Sequence, residues 1–395
     1  ANRSLNGLIQ SWQRTKARGL NDYKKTMELY ANTSNNTVFA DNQGNIAYWH
    51  GDFIPKRDKT LNWSKPVDGS VSTTEWQGLH TLNEIVHVYN PATGWIQNCN
   101  STPFTVAGSS SPNKQDYPPY MAPDGENFRG INAVRVLSKE NSFTIDKTIA
   151  AGYDRYLSAF EILIPVLVST FENNVRPGDS LFEKLAVPIS ILKNWDFYSG
   201  EKSIATTLAI EWAQHLSPQI RKVYIDEGEE DQVTATKKFA ANASPKELLA
   251  PLLAVLDDLI KKHGKWQIPW GDINRYQRLS GDLNQQYDDS KASVPVGFAS
   301  ALWGMLPSYN SQYYPGTKKR YGVSGNSFVC AVEFGKKVKA KSLLAGGESG
   351  DPLSNHFSDQ LTMYANGKFK DVLFYKEDVM KNAERTYHPG EKALQ

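Results

Sequence analysis

The stretch Tyr89-Asn90-Pro91-Ala92-Thr93-Gly94-Trp95-Ile96-Gln97-Asn98-Cys99-Asn100-Ser101-Thr102-Pro103, with Phe128-Arg129-Gly130 further along, decides how this chain is read. Its Asn, Gly and Pro residues mark tight connections. It also sets two side-chain amides, Asn98 and Asn100, two residues apart. An amide N–H donates to a developing negative charge without carrying a charge of its own, which is the chemistry needed to stabilise the oxyanion of a carbonyl under attack. On local grounds Asn100 has two plainer readings, a turn former and a glycosylation acceptor, because Ser101-Thr102 follow it. The same sequon recurs at Asn2, Asn32, Asn35, Asn62 and Asn242. Arg129, taken alone, reads as a surface arginine.

Bulk properties set outer limits. The 395 residues suffice for one large or two ordinary domains with a substantial apolar core. With 44 basic against 42 acidic residues the net charge is +2, which argues against nucleic acid or an anionic membrane as the main partner. Cys99 and Cys330 are the two cysteines, too few for a disulfide framework or a zinc site, and they read as two buried thiols or a single bridge. The most apolar window, residues 160–168, is broken by Glu161 and Pro165 and falls short of the roughly 20 residues a spanning helix requires, so it reads as a core helix.

Along the chain the hydrophobic period changes three times. Residues 6–31 carry apolar side chains at helical spacing interrupted near Gly19, predicting two short helices. Thr37-Val38-Phe39-Ala40 and Ile46-Ala47-Tyr48-Trp49 flank Asp41-Asn42-Gln43-Gly44-Asn45, a β-hairpin. Residues 52–111 are irregular, and long loops of this kind in a compact protein are functional or disordered. Residues 146–172 bring Ile149, Tyr153, Tyr156, Leu157, Phe160, Leu163, Ile164 and Leu167 onto one helical face, with a kink or division predicted at Pro165. Helical signals continue through residues 203–212. Ser244-Pro245-Lys246-Glu247 is a capping box opening a helix that runs to Gly264. The mixed-charge run 223–238 reads as a solvated helix face or a mobile loop. Strands return at residues 327–334, where Phe328, Cys330, Val332 and Phe334 share a face, and at 338–345. Strands at both ends with helices between predict one interleaved α+β unit.

Amide chemistry also needs a nucleophile and a base. No G-x-S-x-G elbow occurs; Gly347-Glu348-Ser349-Gly350 is one residue short and reads as a turn. His50, His80, His87, His215, His263, His356 and His388 form no metal-binding spacing, and Gly346-Gly347-Glu348-Ser349-Gly350-Asp351-Pro352 lacks the lysine and hydroxyl of a phosphate loop.

The spaced pattern N-P-x-x-G-x-I-x-N-x-N-x-x-P at 90–103 follows an A-D-x-x-G-N hairpin at 40–45. It is joined by Gly347-Glu348-Ser349-Gly350-Asp351-Pro352-Leu353-Ser354-Asn355-His356-Phe357-Ser358-Asp359-Gln360. Together these resemble the penicillin acylase family of N-terminal-nucleophile hydrolases, including acyl-homoserine lactone acylases. The resemblance is tight at residues 36–49, 89–103 and 327–360 and loose between. It implies a four-layer αββα core, partial here, with a mainly helical insertion. The division expected is 1–135 for the partial core with hairpin and oxyanion segment, 136–285 for the helical region, and 286–395 for strands and a closing helix returning to the core. It implies that Asn100 is the oxyanion donor and Arg129 the arginine that orients it, while the Gly347–Gln360 signature is structural and His356 is not catalytic. Asp116, in Gln115-Asp116-Tyr117-Pro118, resembles a K-D-Y-P run of the family. Some members bind a structural calcium on this loop, but its other ligands would lie outside this chain, so no cofactor and no metal are assigned.

An enzyme of this type attacks with the side chain of its first residue, whose α-amine serves as base. Ala1 has the amine and no hydroxyl. The expectation is therefore an amidohydrolase cleaving an N-acylated small molecule, such as a β-lactam antibiotic, an acyl-homoserine lactone or a lipopeptide. Its nucleophile, an N-terminal Ser, would lie upstream together with an α-chain, the present chain being inactive alone and the enzyme periplasmic or secreted. The alternative is a catalytically inactive binding or structural module that keeps the fold. An apolar acyl pocket with aromatic walls drawn from Trp95, Phe104, Tyr117, Tyr120 and Phe128 is a further expectation, with the amine side loosely specified.

Overall fold

The computed structural model describes residues 5–32, 35–226, 228, 231–388 and 390–391. Ala1, where the missing hydroxyl was read, lies outside them.

Helices α1 (Asn6–Arg14) and α2 (Leu20–Met27) precede strands β1 (Thr37–Ala40) and β2 (Ile46–Trp49). With β3 (His87–Tyr89) these strands form a three-stranded antiparallel sheet, β2 in the centre. Alternation along β2 sends Ala47 and Trp49 to one face, where they join Met27, Ile85, Val86 and Met121. Tyr48 goes to the other face with Val88, Val106 and Ala107. Both faces of this short sheet are therefore anchored. The hairpin turn is built by its own polar residues: Asp41 Oδ1 accepts from the backbone N–H groups of Gln43 and Asn45 at 2.9 and 3.0 Å.

The middle of the chain is a helical block: α3 (Phe128–Leu137), α4 (Ile145–Gly152), α5 (Phe160–Asn174), α6 (Ser180–Lys193), α7 (Ile204–Asp226), α8 (Gln232–Asn242) and α9 (Pro245–His263). The capping box of α9 is fully formed, Ser244 and Glu247 exchanging side-chain and backbone hydrogen bonds, and Gly264 closes the helix at φ +79°. Two expectations are corrected here. The helical run does not divide at Pro165, which lies inside α5; it divides over Tyr153–Ala159 instead, removing Tyr153, Tyr156 and Leu157 from the helical face. Pro165 lies inside α5, where it removes one backbone N–H donor without ending the helix. The break is held by polar contacts, Asp154 Oδ1 accepting from Arg135 at 2.8 Å and from Asn132 at 2.9 Å. The charged run around residue 231 is likewise no bare solvated face, since Val233, Ala235 and Thr236 of α8 are buried.

The chain then passes through α10 (Trp270–Ile273) into a second sheet of order β5-β4-β7-β6, with β4 (Asn274–Tyr276), β5 (Val294–Pro295), β6 (Tyr309–Tyr313) and β7 (Arg320–Gly325), β4 and β7 being parallel. A third, antiparallel sheet contains β8 (Phe328–Glu333), β9 (Lys339–Leu344) and β10 (Lys370–Asp371), and α11 (Leu361–Asn366) and α12 (Lys376–Lys381) flank β10 in sequence. One continuous core runs from Phe128 through the helical block to Val296, Phe298, Trp303, Leu343 and Tyr364. A well-shielded ion pair, Arg320 to Glu211 at 3.0 Å, fastens β7 to α7. Phe328, Cys330, Val332 and Phe334 do share a face, and that face is open: Phe328 is 59 % and Phe334 46 % exposed. Cys99 and Cys330 are both free, and Cys330 is exposed rather than buried.

The Gly347–Gln360 signature joins β9 to α11. Buried Gln360 accepts from the Leu344 N–H at 2.8 Å and donates to Glu348 at 3.1 Å. At Gly347 an added Cβ would sit inside 3 Å of the His356 and Phe357 carbonyls. Exposed His356 pairs with Asp359 at 2.9 Å. The segment is a close-packed corner.

Candidate active site

Asn100 and Arg129, 29 residues apart in sequence, meet directly: Arg129 Nη2 donates to Asn100 Oδ1 at 2.8 Å. A guanidinium has donors and no acceptor, so the atom facing it must be the amide oxygen. The Asn100 amide is thus oriented with its oxygen occupied and its NH2 group turned away from the arginine. Asn100 is exposed, and its backbone is left-handed at φ +54°, a conformation Asn adopts more readily than other side chains that carry a Cβ.

A third residue, not singled out from the sequence, completes the arrangement. Asn127 is the N-cap of α3, its Oδ1 accepting from the Gly130 N–H at 2.9 Å. Its Nδ2 donates to the carbonyls of Cys99 and Asn100, each at 3.1 Å. One side chain therefore caps the start of α3 and clamps the Cys99–Asn100 backbone. The available signal was an Asn immediately before a helix beginning Phe128-Arg129-Gly130, the usual place for a cap. Gly130 is required by close approach: an added Cβ would fall inside 3 Å of both Glu126 and Ser101. Without a side chain at 130, the first turn of α3 lies against Ser101, and Arg129 reaches Asn100.

The same segment is tied at its other end. Asn90 accepts from the Ile46 N–H at 2.9 Å and donates to Asn45 at 3.1 Å, locking the hairpin to the start of the motif. Thr102 N donates to the Gly125 carbonyl at 3.0 Å, and the Thr102 side chain caps the 3-10 turn Pro103–Thr105. Asn98 is half-buried and takes no part in these contacts. Asp116 lies in a separate exposed turn, Lys114–Asp116.

A polar chain runs from buried Tyr48 and His50 to exposed Asp124. Tyr48 Oη lies 3.0 Å from His50 Nδ1, and His50 Nε2 lies 3.2 Å from Asp124 Oδ2. Burial keeps the Tyr48 hydroxyl protonated far above its ordinary range, with the charge of Asp124 adding to the effect. The hydrogen bond to His50 holds the Asp124 carboxyl below its usual value. Burial pushes the Glu126 carboxyl up, against the Asn127 N–H and the Thr105 hydroxyl that bond it, and the charge of Asp231 raises it further. Burial likewise raises the Cys99 thiol despite the pull of Arg129, which leaves it a poor nucleophile. Among the described residues no histidine ring is hydrogen-bonded to a Ser hydroxyl or a Cys thiol, and no group of three or more His, Cys, Asp or Glu is placed to hold a metal ion.

Two cavities flank Glu126. One of about 710 Å³ is lined by Trp95, Thr105, Ile131 and Val134. The other, of about 720 Å³, includes Asn100 itself and extends along Asp124–Asn127 to α7 and α8. The aromatic wall expected of five residues is not assembled. Phe128 is buried in the helical core, Phe104, Tyr117 and Tyr120 pack under the first sheet, and Trp95 lines the first cavity.

The family model for penicillin amidase matches residues 2–381. The acyl-homoserine lactone acylase PvdQ of Pseudomonas syringae pv. syringae is 22 % identical over 376 residues, covering 87 % of this chain and 45 % of the relative. Its counterpart from P. syringae pv. tomato is 23 % identical over 378 residues, covering 88 % and 46 %. The chain thus spans about half the length of these relatives. Among solved structures, a thermostable penicillin G acylase from Alcaligenes faecalis superposes with a TM-score of 0.61 over 99 % of this chain and 73 % of its own, at 17 % identity, which shows the N-terminal-nucleophile hydrolase fold. No described helix is long and apolar enough to cross a membrane. The motif at 89–103, the arginine that meets it, and a family match spanning nearly the whole length lead to one assignment: the chain belongs to the penicillin amidase family.

Proposed function

We propose that this chain supplies the oxyanion-stabilising half of an acylase that hydrolyses the amide of an N-acylated small molecule, the candidate classes being a β-lactam antibiotic, an acyl-homoserine lactone and a lipopeptide. The observation that carries the reading is the Arg129–Asn100 contact. A fixed arginine occupies the amide oxygen, so the amide NH2 is preorganised as a neutral donor at an exposed position beside a cavity. Asn100 contacts the developing oxyanion; Arg129 and Asn127 are positioning residues. The attacking group is a Ser hydroxyl, with its own α-amine as base, on a separate segment that assembles with this one, and the assembled enzyme acts in the periplasm or outside the cell. No metal enters the mechanism.

Trapping decides it. Incubation of the assembled enzyme with an acyl-amide substrate followed by intact-mass analysis is expected to show an acyl adduct on a chain beginning with Ser and none on these 395 residues. An adduct on this chain, or turnover by this chain alone, would assign the chemistry elsewhere. Binding of acyl amides with no turnover by any assembled form would favour the inactive binding module.

A further inference from the structure

A cavity of about 490 Å³ lies apart from the two that flank Glu126 and shares no lining residue with either. Its aromatic wall centres on Tyr153, set edge-on to Phe298 and to Phe369 with ring centres 5.6 Å away in each case. Its charged groups are Arg155, Lys341 and Asp146. Lys341 is already paired with Asp371 at 3.2 Å, whereas the Arg155 guanidinium has no carboxylate, carbonyl or ring partner among the described residues. The segment that carries it is nonetheless fixed: the Arg155 carbonyl accepts from the Ser199 N–H and the Asp154 carbonyl from the Leu306 N–H, both at 3.1 Å. Two glycines make room for these side chains. An added Cβ at Gly297 would lie 2.8 Å from Arg155 Nη1, and one at Gly367, whose φ is +63°, would lie 2.9 Å from the Tyr153 ring. The Tyr153 hydroxyl, shielded from solvent, has no hydrogen-bond partner among the described residues, and burial keeps it protonated.

From an unengaged guanidinium held beside an aromatic cavity, we infer that this is a second binding site, separate from the amide-cleaving one, for a monocarboxylate with an apolar body. A planar guanidinium fork matches the two oxygens of a carboxylate, a fit that a lysine ammonium does not offer. Both unengaged groups, the Arg155 fork and the Tyr153 hydroxyl, are able to donate, so an anion satisfies them and a cation does not. The charge that fits is single. Asp146 stands on the same lining and Lys341 is neutralised by Asp371, so a dianion such as a phosphate monoester meets one free cation and a repelling carboxylate. Phe298, Phe369 and the Tyr153 ring face the apolar body of the ligand, and the volume suits a small organic molecule. Binding here is non-covalent and involves none of Asn100, Arg129 and Asn127, so it stands whether or not the acylase reading does.

Calorimetry on the 395-residue chain with 4-phenylbutyrate and its neutral isostere 4-phenylbutanamide tests the inference. The carboxylate is expected to bind more tightly, and its advantage to fall about tenfold in Arg155→Gln, the loss of one charge-assisted pair. Arg155 is exposed and its side chain bonds nothing else, so this variant is expected to keep the wild-type helical signal. Ala150→Trp is the second variant. Ala150 is exposed on α4 and lines the cavity, so an indole there fills the space without removing a charge and is expected to weaken both probes at least tenfold. Asn100→Ala controls for the other cavity and is expected to leave both affinities unchanged. Absence of carboxylate binding, equal binding of acid and amide, a preference unaltered in Arg155→Gln, or binding that survives Ala150→Trp overturns the inference. So does a carboxylate affinity lost in Asn100→Ala and kept in Arg155→Gln, which would put the anion at the amide-cleaving site.

Discussion

The helical block and the segment from Tyr89 to Gly130 are built on opposite economies. In the block, α5 to α9 bury Leu, Ile, Val, Phe and Trp side chains, and the main polar requirement is satisfied inside each helix. In the segment, few side chains are deeply buried, and shape is fixed by side chains bonding backbone: Asn127 on two carbonyls, Asn90 on the hairpin, Thr102 on its own turn. Burial is tolerant of which apolar residue does the filling, whereas hydrogen bonding of this kind is specific to an amide or a hydroxyl at one position. Stability is thus concentrated in one region and, on the proposed reading, chemistry in the other.

That division can be broken by mutation. The largest effect is expected from Trp212→Ala in the block, where a side chain with no exposed surface also donates to the Leu248 carbonyl at 2.9 Å. It should cost about 3–5 kcal/mol in chemical denaturation, with the activity of whatever remains folded unchanged. Next comes Asn100→Ala, expected to lower kcat of the assembled enzyme by roughly 10²–10³ with a loss of stability of only about 1 kcal/mol, the strain of Ala at the left-handed φ of +54°. A matching loss of stability would mean that the segment is structural after all. Smaller again is Arg129→Lys, which keeps the charge and loses the rigid fork, expected to lower kcat about tenfold at constant KM. Equal loss in kcat and rise in KM would say that Arg129 holds substrate instead of Asn100. Asn98→Ala should change both stability and kcat least, within about 0.5 kcal/mol, because Asn98 takes no part in the hydrogen bonds that build the site. If it were the inactive variant, the two amides would have to exchange roles.

What could be read in advance follows the same line. The hairpin at 37–49 and the capping box at Ser244 were legible, because each depends on particular residues at fixed spacing, whereas the pairing of Asn100 with Arg129 was expected only from the family resemblance, Arg129 by itself reading as a surface arginine. The break at Tyr153–Ala159 was not: local periodicity continues through it, and it exists because Asp154 is held by Arg135 and Asn132, residues on another helix. Alternation correctly put Phe328, Val332 and Phe334 on one side of β8, yet a period of two says nothing about whether that side is covered. Asn127 escaped notice because its position before α3 announces a cap, and its second pair of bonds depends on where the oxyanion segment returns. The cavity beside Asn100 lies between segments tens to hundreds of residues apart, beyond the reach of any local pattern.

The left-handed backbone at Asn100 has a consequence for what variation the site can accept. Gly would keep the φ of +54° and delete the donor. Asp tolerates the same backbone but replaces the donor with a negative charge, beside an arginine that would bind it tightly. Gln retains the amide but is a methylene longer and lacks the local preference of Asn for this conformation. Of these three replacements none keeps both the backbone and the neutral donor, so on the proposed reading a change at this one codon lowers activity while leaving a folded protein behind.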